Sequence, residues 1–182
     1  MTSAIRPATP ADLEGIARVH VQAWRESYEG LVPPEAFEQH SMELRLAQWQ
    51  ATLSDPDRST LVYEGDTGVV RGFISGGPIK WTGLSTDSEV ASFYLVDAVK
   101  RRGIGRAVFG QFMTLLASRG FTSCGLWTLA ANSAARRFYE AMGGRTGEKR
   151  IDRRNNLDYE DISYLWDDVS RASGKIGEHH AT

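Results

Sequence analysis

Apolar residues recur along this chain first at a helical period and then at a strand period. Leu13, Ile16, Ala17, His20, Ala23, Trp24 and Ser27 share one face of a helix predicted over residues 11–28. Thr9-Pro10 supplies a cap and a proline at its start, and Gly30 stops it. Pro33-Pro34 opens a second helical region that passes through Phe37 and then residues 44–53, with Trp49 among its apolar positions. Asp55-Pro56-Asp57 ends that region.

Beyond it the pattern becomes extended. Leu61-Val62-Tyr63 and residues 69–74 flank Gly65-Asp66-Thr67-Gly68, a hairpin signal. Gly76-Gly77-Pro78 and the polar stretch 82–88 are expected to be loop. An apolar strand over 90–96 leads through a glycine-bearing turn to a helix over 105–119, carrying Val108, Phe109, Phe112, Leu115 and Leu116 and closed by Gly120. A strand over 123–129 precedes Asn132, an N-cap for a short helix ending near Met142. Two strands follow, 145–151 and 157–166, the second alternating Ile162, Tyr164 and Trp166. With an opening strand, the order β-α-α-β-β-β-α-β-α-β-β describes an α/β (α+β) fold: a mixed sheet with helices on both faces. Residues 1–170 are expected to form one domain and 171–182 a disordered tail.

The most informative stretch is Lys100-Arg101-Arg102-Gly103-Ile104-Gly105-Arg106. Two glycines one residue apart let backbone approach a ligand closely, because no Cβ stands in the way. The helix that starts there offers unpaired N–H groups and the positive end of its dipole, and four basic side chains crowd the same turn. Together these favour a phosphate group. A dinucleotide-binding turn would need a third glycine where Val108 stands, and a Walker-type loop needs Gly-Lys-Ser/Thr, which does not follow Gly103. A glycine pair alone also serves a tight strand-to-helix corner.

Composition narrows the choice. The 182 residues are 41% hydrophobic and 24% charged, as in ordinary globular domains. A net charge of −2 argues against a nucleic-acid surface. The single cysteine, Cys124, excludes an internal disulfide and suits a reducing compartment; its strand context marks it as a small buried filler. His20, His40, His179 and His180 lack metal-ligand spacing, so no metal is expected. No signal peptide or membrane-crossing run is visible, so a cytoplasmic protein without membrane partners is expected.

The stretch from Ser92 through Lys100 to Ala107 resembles motif A of the GNAT superfamily of N-acetyltransferases, a strand followed by Gln/Arg-x-x-Gly-x-Gly/Ala and a helix. Asn132-Ser133-Ala134-Ala135-Arg136-Arg137-Phe138-Tyr139-Glu140-Ala141-Met142-Gly143-Gly144 is similar to that family's Asn-x-x-Ala-x-x-Phe-Tyr-Glu-x-x-Gly-Phe element. The openings Ile5-Arg6-Pro7-Ala8 and His20 to Gly30 also look like members, and the resemblance extends to about Ser170. Lys100 replaces the Gln/Arg residue, keeping the charge but not the planar fork. The Phe that should follow the first glycine is missing: Gly144 stands there, followed by Arg145.

The resemblance implies a mostly antiparallel sheet of about seven strands, splayed between the fourth and fifth, with acetyl-CoA lying in the splay. By the same resemblance the pantetheine arm pairs with backbone at Leu95 and Val96, and the diphosphate rests on the amides of Arg101, Arg102, Gly103, Ile104, Gly105 and Arg106. Tyr139 would give a proton or hydrogen bond to the departing sulfur, or simply pack its ring on the sheet. Asn132 would cap its helix and bond the pantetheine arm. Glu89 is the candidate general base, against the alternative of a solvated charge at a strand end. Trp24, Tyr28 and Trp81 are candidate acceptor-pocket residues, although Trp24 and His20 also lie on an apolar stripe suited to the core. Arg136 and Arg137 are expected to face solvent or an adenosine phosphate. The function implied is acetyl transfer from acetyl-CoA to a primary amine of a small molecule or peptide through a ternary complex. A non-catalytic acyl-CoA-binding module is the second reading. A homodimer is compatible with either.

Overall fold

A computed structural model describes residues 3–38, 40–80, 83–154 and 157–174. The chain divides into two compact units, one of Met1–Gly76 with Ser92–Val108, the other of Gly77–Ala91 with Phe109–Thr182. Two strands, over residues 70–78 and 88–95, and the helix over 104–118 run through both.

In the first unit, β1 (Ala4–Pro7) pairs antiparallel with β2 (Ser59–Glu64), and β2 with β3 (Val70–Pro78). The β2–β3 turn is the one the sequence marks: Gly65 N–H donates to Val69 C=O, Gly68 N–H to Gly65 C=O, and Gly68 adopts φ 78°. The glycines expected to end β3 instead continue it, with Gly76 opposite Ser59. The strand is buried through this stretch, and glycine there needs no room on either face. Helix α1 (Leu13–Tyr28) starts after a 3-10 turn at Pro10–Asp12. The second helical region is two helices, α2 (Glu35–Glu38) and α3 (Met42–Ser54), because Ser41 caps the latter by accepting from Leu44 N–H. Ile16, Ala17, Ala23, Trp49, Val62, Phe73 and Ile74 are all but fully buried and form this unit's core.

The start of α1 is fastened by charge. Arg6 of β1 holds both oxygens of Asp12 at 2.8 Å and Glu64 of β2 at 2.7 Å, while Thr9 N–H and Oγ1 donate to Asp12. Asp12 is 7% exposed.

The second unit begins with the first half of β4 (Ser88–Leu95), which pairs parallel with β5 (Cys124–Leu129) at Ser88↔Cys124 and Glu89↔Gly125, and nowhere else among the described residues. β5 pairs antiparallel with β7 (Leu157–Trp166), and β7 with β6 (Arg145–Arg154). The hydrogen-bonded order is β1-β2-β3-β4-β5-β7-β6: seven strands, mostly antiparallel, with one parallel pair whose contact is brief. This is the expected fold class. Helix α4 (Ile104–Ser118) buries Phe109, Phe112, Met113 and Leu116 completely, and α5 (Ser133–Ala141) lays Phe138 and Tyr139 beside Phe109. Cys124 is fully buried and burial pushes its thiol up to about 12, which fits an inert filler.

Residues 171–174, expected as tail, belong to helix α6 (Val169–Gly174), because Val169 and Ala172 find an apolar surface to cover them. The rest of the expected tail, and Trp81, lie outside the described residues. No helix among the described residues is long and apolar enough to cross a membrane.

The Arg6 hydrogen bonds, partly offset by burial, hold the Asp12 carboxyl down at about 2. A carboxyl depressed on folding stabilises the protein above its unfolded value near 4 and loses that contribution as pH falls toward 2. Because Arg6 is partly exposed, the contribution at neutral pH is roughly 1–2 kcal/mol. Urea unfolding should therefore show Asp12→Asn less stable than the parent at pH 7, with the gap closing at pH 2–3.

Candidate active site

The turn between β4 and α4 lies in the first unit and is held from below. Glu26 of α1 accepts Asp97 N–H at 2.7 Å, and Lys100 reaches both Asp97, at 2.7 Å, and Ser27. Lys100 is thereby occupied as a strut. Arg101 sits at φ 60° and Gly103 at φ 79°, left-handed residues on either side of Arg102. Such alternation turns successive N–H groups toward one concave side. A non-glycine residue in this region is strained, so Arg101 marks a constraint worth holding. Gly103 C=O accepts from Ala107 N–H at 3.1 Å, making Gly103 the cap and starting α4 one residue earlier than expected.

The result is a run of unused donors. Among the described residues, no acceptor is recorded for the amides of Arg101, Arg102, Gly103, Ile104, Gly105 or Arg106. Nor does any carboxylate pair with Arg101, Arg102 or Arg106, all exposed. Six amides and three guanidinium groups at a helix start make a cradle for a polyanion.

Just upstream, Val96 N–H donates to Arg71 C=O at 3.0 Å. Backbone groups of successive strand residues point to opposite edges, so Leu95 presents its pair on the other edge. Of the two residues expected to pair with an extended ligand, Val96 has its N–H already taken by β3. A Cβ at Gly72 would stand 2.1 Å from Leu95 Cδ2 and 3.1 Å from the Tyr94 carbonyl, so any larger residue there would displace the Leu95 side chain.

Helix α1 places Trp24 and Tyr28 with ring centres 4.9 Å apart, and Trp24 also stacks on His40 at 3.6 Å and meets Phe37 edge-on. Trp24 is buried and Tyr28 half-buried. His20 is interior: Trp49 Nε1 donates to its Nδ1 at 3.1 Å, and its ring stacks on Tyr94. Burial, helped by Arg45, drives its pKa down to about 3, so it is neutral with its proton on Nε2.

In the second unit the expected residues sit on firm supports. Glu89 is fully buried on β4, opposite Gly125, which excludes a solvated strand-end charge. Asn132 caps α5, its Oδ1 accepting from Ala135 N–H at 3.1 Å, and is 8% exposed. Its side-chain NH₂ has no partner among the described residues. Tyr139 packs among Phe109, Phe138, Tyr164 and Trp166. The end of α5 is a Schellman turn: Gly143 at φ 82° donates to Glu140 C=O, and Gly144 N–H donates to Tyr139 C=O at 2.9 Å. A Cβ on Gly144 would meet Trp166 at 2.7 Å and the Tyr139 carbonyl at 2.9 Å. Arg136, expected to face solvent or ligand, is tied to Tyr164 Oη and Ala130 C=O, and Tyr164 in turn donates to Glu140. No cluster of metal-binding side chains occurs among the described residues.

Sequence reasoning passed over Arg45, which the structure sets against His40 and the Trp24 cluster. The available signal was its spacing: one helical turn before the buried Trp49, a basic residue on an apolar stripe.

The model of the acetyltransferase (GNAT) family matches residues 19–144, which span the anion cradle, Glu89, Asn132 and Tyr139. This chain belongs to the GNAT family of acetyltransferases. The acetyltransferase is 30% identical over 137 residues to the uncharacterized N-acetyltransferase YuaI of Bacillus subtilis strain 168, a match covering 75% of this chain and 77% of that one. Its fold is that of the PaiA N-acetyltransferase of Thermoplasma acidophilum, solved in complex with coenzyme A (TM-score 0.66, 21% identity, 91% of this chain and 100% of that one). It is also that of YncA from Salmonella typhimurium, described as a putative acetyltransferase and solved with acetyl-CoA (TM-score 0.68, 19% identity, 100% and 98%).

The cap at Asn132 carries a stability prediction. Asn132→Ala should lower the unfolding free energy by about 1 kcal/mol, whereas Asn132→Ser, which keeps an acceptor oxygen, should recover most of it in urea melts.

Proposed function

We propose that this acetyltransferase moves an acetyl group from acetyl-CoA to a primary amine by direct attack in a ternary complex, and that residues 1–170 act as one catalytic domain in the cytoplasm. The observation that carries the reading is the set of unused amides over residues 101–106 with three unpaired arginines, which suits the diphosphate of coenzyme A. Leu95, with its backbone pair on the free edge, takes the pantetheine amide, and the unpartnered NH₂ of Asn132 takes a second polar group of that arm.

The chemistry asks three things of the protein. The amine must lose a proton before its nitrogen attacks the thioester carbon, the oxyanion needs donors, and the sulfur needs a proton as the C–S bond breaks. Glu89 removes the ammonium proton, directly or through a water. Its complete burial favours this over a solvent-facing role. Tyr139 supplies the proton to the thiolate; a phenol is protonated at neutral pH. The Schellman turn at Gly143 and Gly144 and the ring cluster around Tyr139 hold that side chain in one orientation.

Calorimetry and a thiol-release assay test this together. Coenzyme A should bind the folded protein, and Tyr139→Phe should keep that affinity within about twofold while lowering kcat on the order of 10²-fold. Glu89→Gln should lower turnover while leaving the affinity for coenzyme A within about twofold. Wild-type turnover by Tyr139→Phe would end the leaving-group role. Failure of folded protein to bind coenzyme A would end the whole reading. Binding without thiol release across an amine panel would leave a module that only holds acyl-CoA.

A further inference from the structure

Helix α5 is tied to β7 through two side chains of that strand, and Tyr139 meets both. Tyr164 and Trp166, two residues apart on β7, stand on the same face of the sheet. Trp166 Nε1 donates to Met142 C=O at 3.1 Å, and Tyr164 Oη donates to Oε1 of Glu140 at 2.7 Å. Their ring centres lie 5.7 Å (Tyr164) and 6.1 Å (Trp166) from that of Tyr139. All of these residues belong to the second unit.

Tyr164 is fully buried, where a hydroxyl costs stability unless it is bonded. It is bonded twice: Arg136 Nε donates to it at 3.3 Å, and it donates onward to Glu140. Arg136 and Glu140 are one helical turn apart on α5, so they hold the phenol from consecutive turns. Burial raises the Tyr164 pKa above its ordinary value, with Arg136 opposing and Glu140 adding, so the hydroxyl keeps its proton and remains a donor at neutral pH. The start of α5 has its own ties: Arg136 Nη1 donates to Ala130 C=O at 3.3 Å, and Ala130 N–H to Glu160 C=O at 2.7 Å. The bond from Tyr164 to Glu140 therefore acts on the last turn, which carries Tyr139 and is closed by Gly144 N–H on Tyr139 C=O. A phenylalanine would fill the same space. What the hydroxyl adds is direction, because it fixes the rotation of that turn against β7.

We propose that Tyr164, acting through Glu140, is a positioning residue for Tyr139, holding the last turn of α5 in the rotation from which the Tyr139 phenol gives its proton to the departing sulfur. The proposal rests on the leaving-group role given to Tyr139 above and adds the residues that sustain it. Neither Tyr164 nor Glu140 is given a proton-transfer step.

Tyr164→Phe keeps the ring and removes the hydroxyl. With acetyl-CoA and the amine panel, its kcat should fall about tenfold while the KM for acetyl-CoA stays within about twofold. In a Tyr139→Phe background the same change should cost less than about twofold, because the group being positioned is gone. Glu140→Ala should repeat the loss, and Glu140→Gln, which keeps an acceptor oxygen, should recover most of it. Glu140 is exposed, so its variants carry the test even where Tyr164→Phe fails to fold. Parental kcat in Tyr164→Phe and Glu140→Ala, or an equal loss with and without the Tyr139 hydroxyl, overturns the positioning role and leaves acetyl transfer standing. Where Tyr139→Phe turns over at the parental rate, or no amine releases thiol, the leaving-group reading itself has failed, and amide hydrogen exchange judges the clamp alone. Tyr164→Phe and Glu140→Ala should then speed exchange at Gly144 about fivefold and leave Ala135, under the Asn132 cap, unchanged. Parental exchange at Gly144, or faster exchange at both amides, overturns it.

Discussion

Every helix start leaves about four backbone N–H groups without intrahelical acceptors, and among the described residues that of α4 adds those of Arg101 and Arg102, making six over residues 101–106. That constraint organises what surrounds it. The donors stay open only because the turn is prevented from folding onto itself. Left-handed conformations at Arg101 and Gly103 direct the amides outward, Glu26 fixes Asp97 from α1, and Lys100 is pinned between Asp97 and Ser27. The strand before the turn is locked by Val96 on Arg71, and the helix after it by five fully buried apolar side chains, Val108, Phe109, Phe112, Met113 and Leu116. A rigid frame around unsatisfied donors is what a preorganised anion site requires, because little ordering is left for the ligand to bring about.

The same logic, polar groups held open by well-satisfied neighbours, recurs in the chemistry assigned to the second unit. Asn132 spends one end of its amide on the α5 cap and keeps the other end free. Tyr139 is oriented by four aromatic rings and by the Schellman turn that accepts on its own carbonyl. Glu89 is buried where the parallel pairing of β4 with β5 is two residues long. Arg136 shows a different case, a basic residue two of whose donors are given to Tyr164 and Ala130.

Much of this was legible in the order of residues. Helix α1 and the hairpin at Gly65 and Gly68 follow from local period and turn chemistry. The caps at Asn132 and Gly120, and the basic glycine turn, follow from local rules as well, and these act over four or five residues. The misreadings have a common cause. Gly76 was given to a loop because glycine breaks strands, yet here pairing with Ser59 of β2 overrides that preference. Residues 171–174 look like polar tail, but an apolar surface was available to bury Val169 and Ala172.

The sequence by itself marked the candidate place for an anionic ligand: glycines, basic residues and a helix start are neighbours in the chain, so their convergence needs no distant contact. It also determined which residues could carry acid–base roles, since Glu89 and Tyr139 are the right groups at recognisable spacings. Only the tertiary structure decided which of them are shielded from water, which donors are already used, and which charge has no partner. Burial, hydrogen-bond satisfaction and ion pairing depend on residues far apart in the chain, as Val96 on Arg71 and Arg45 among His20, His40 and Tyr94 make plain.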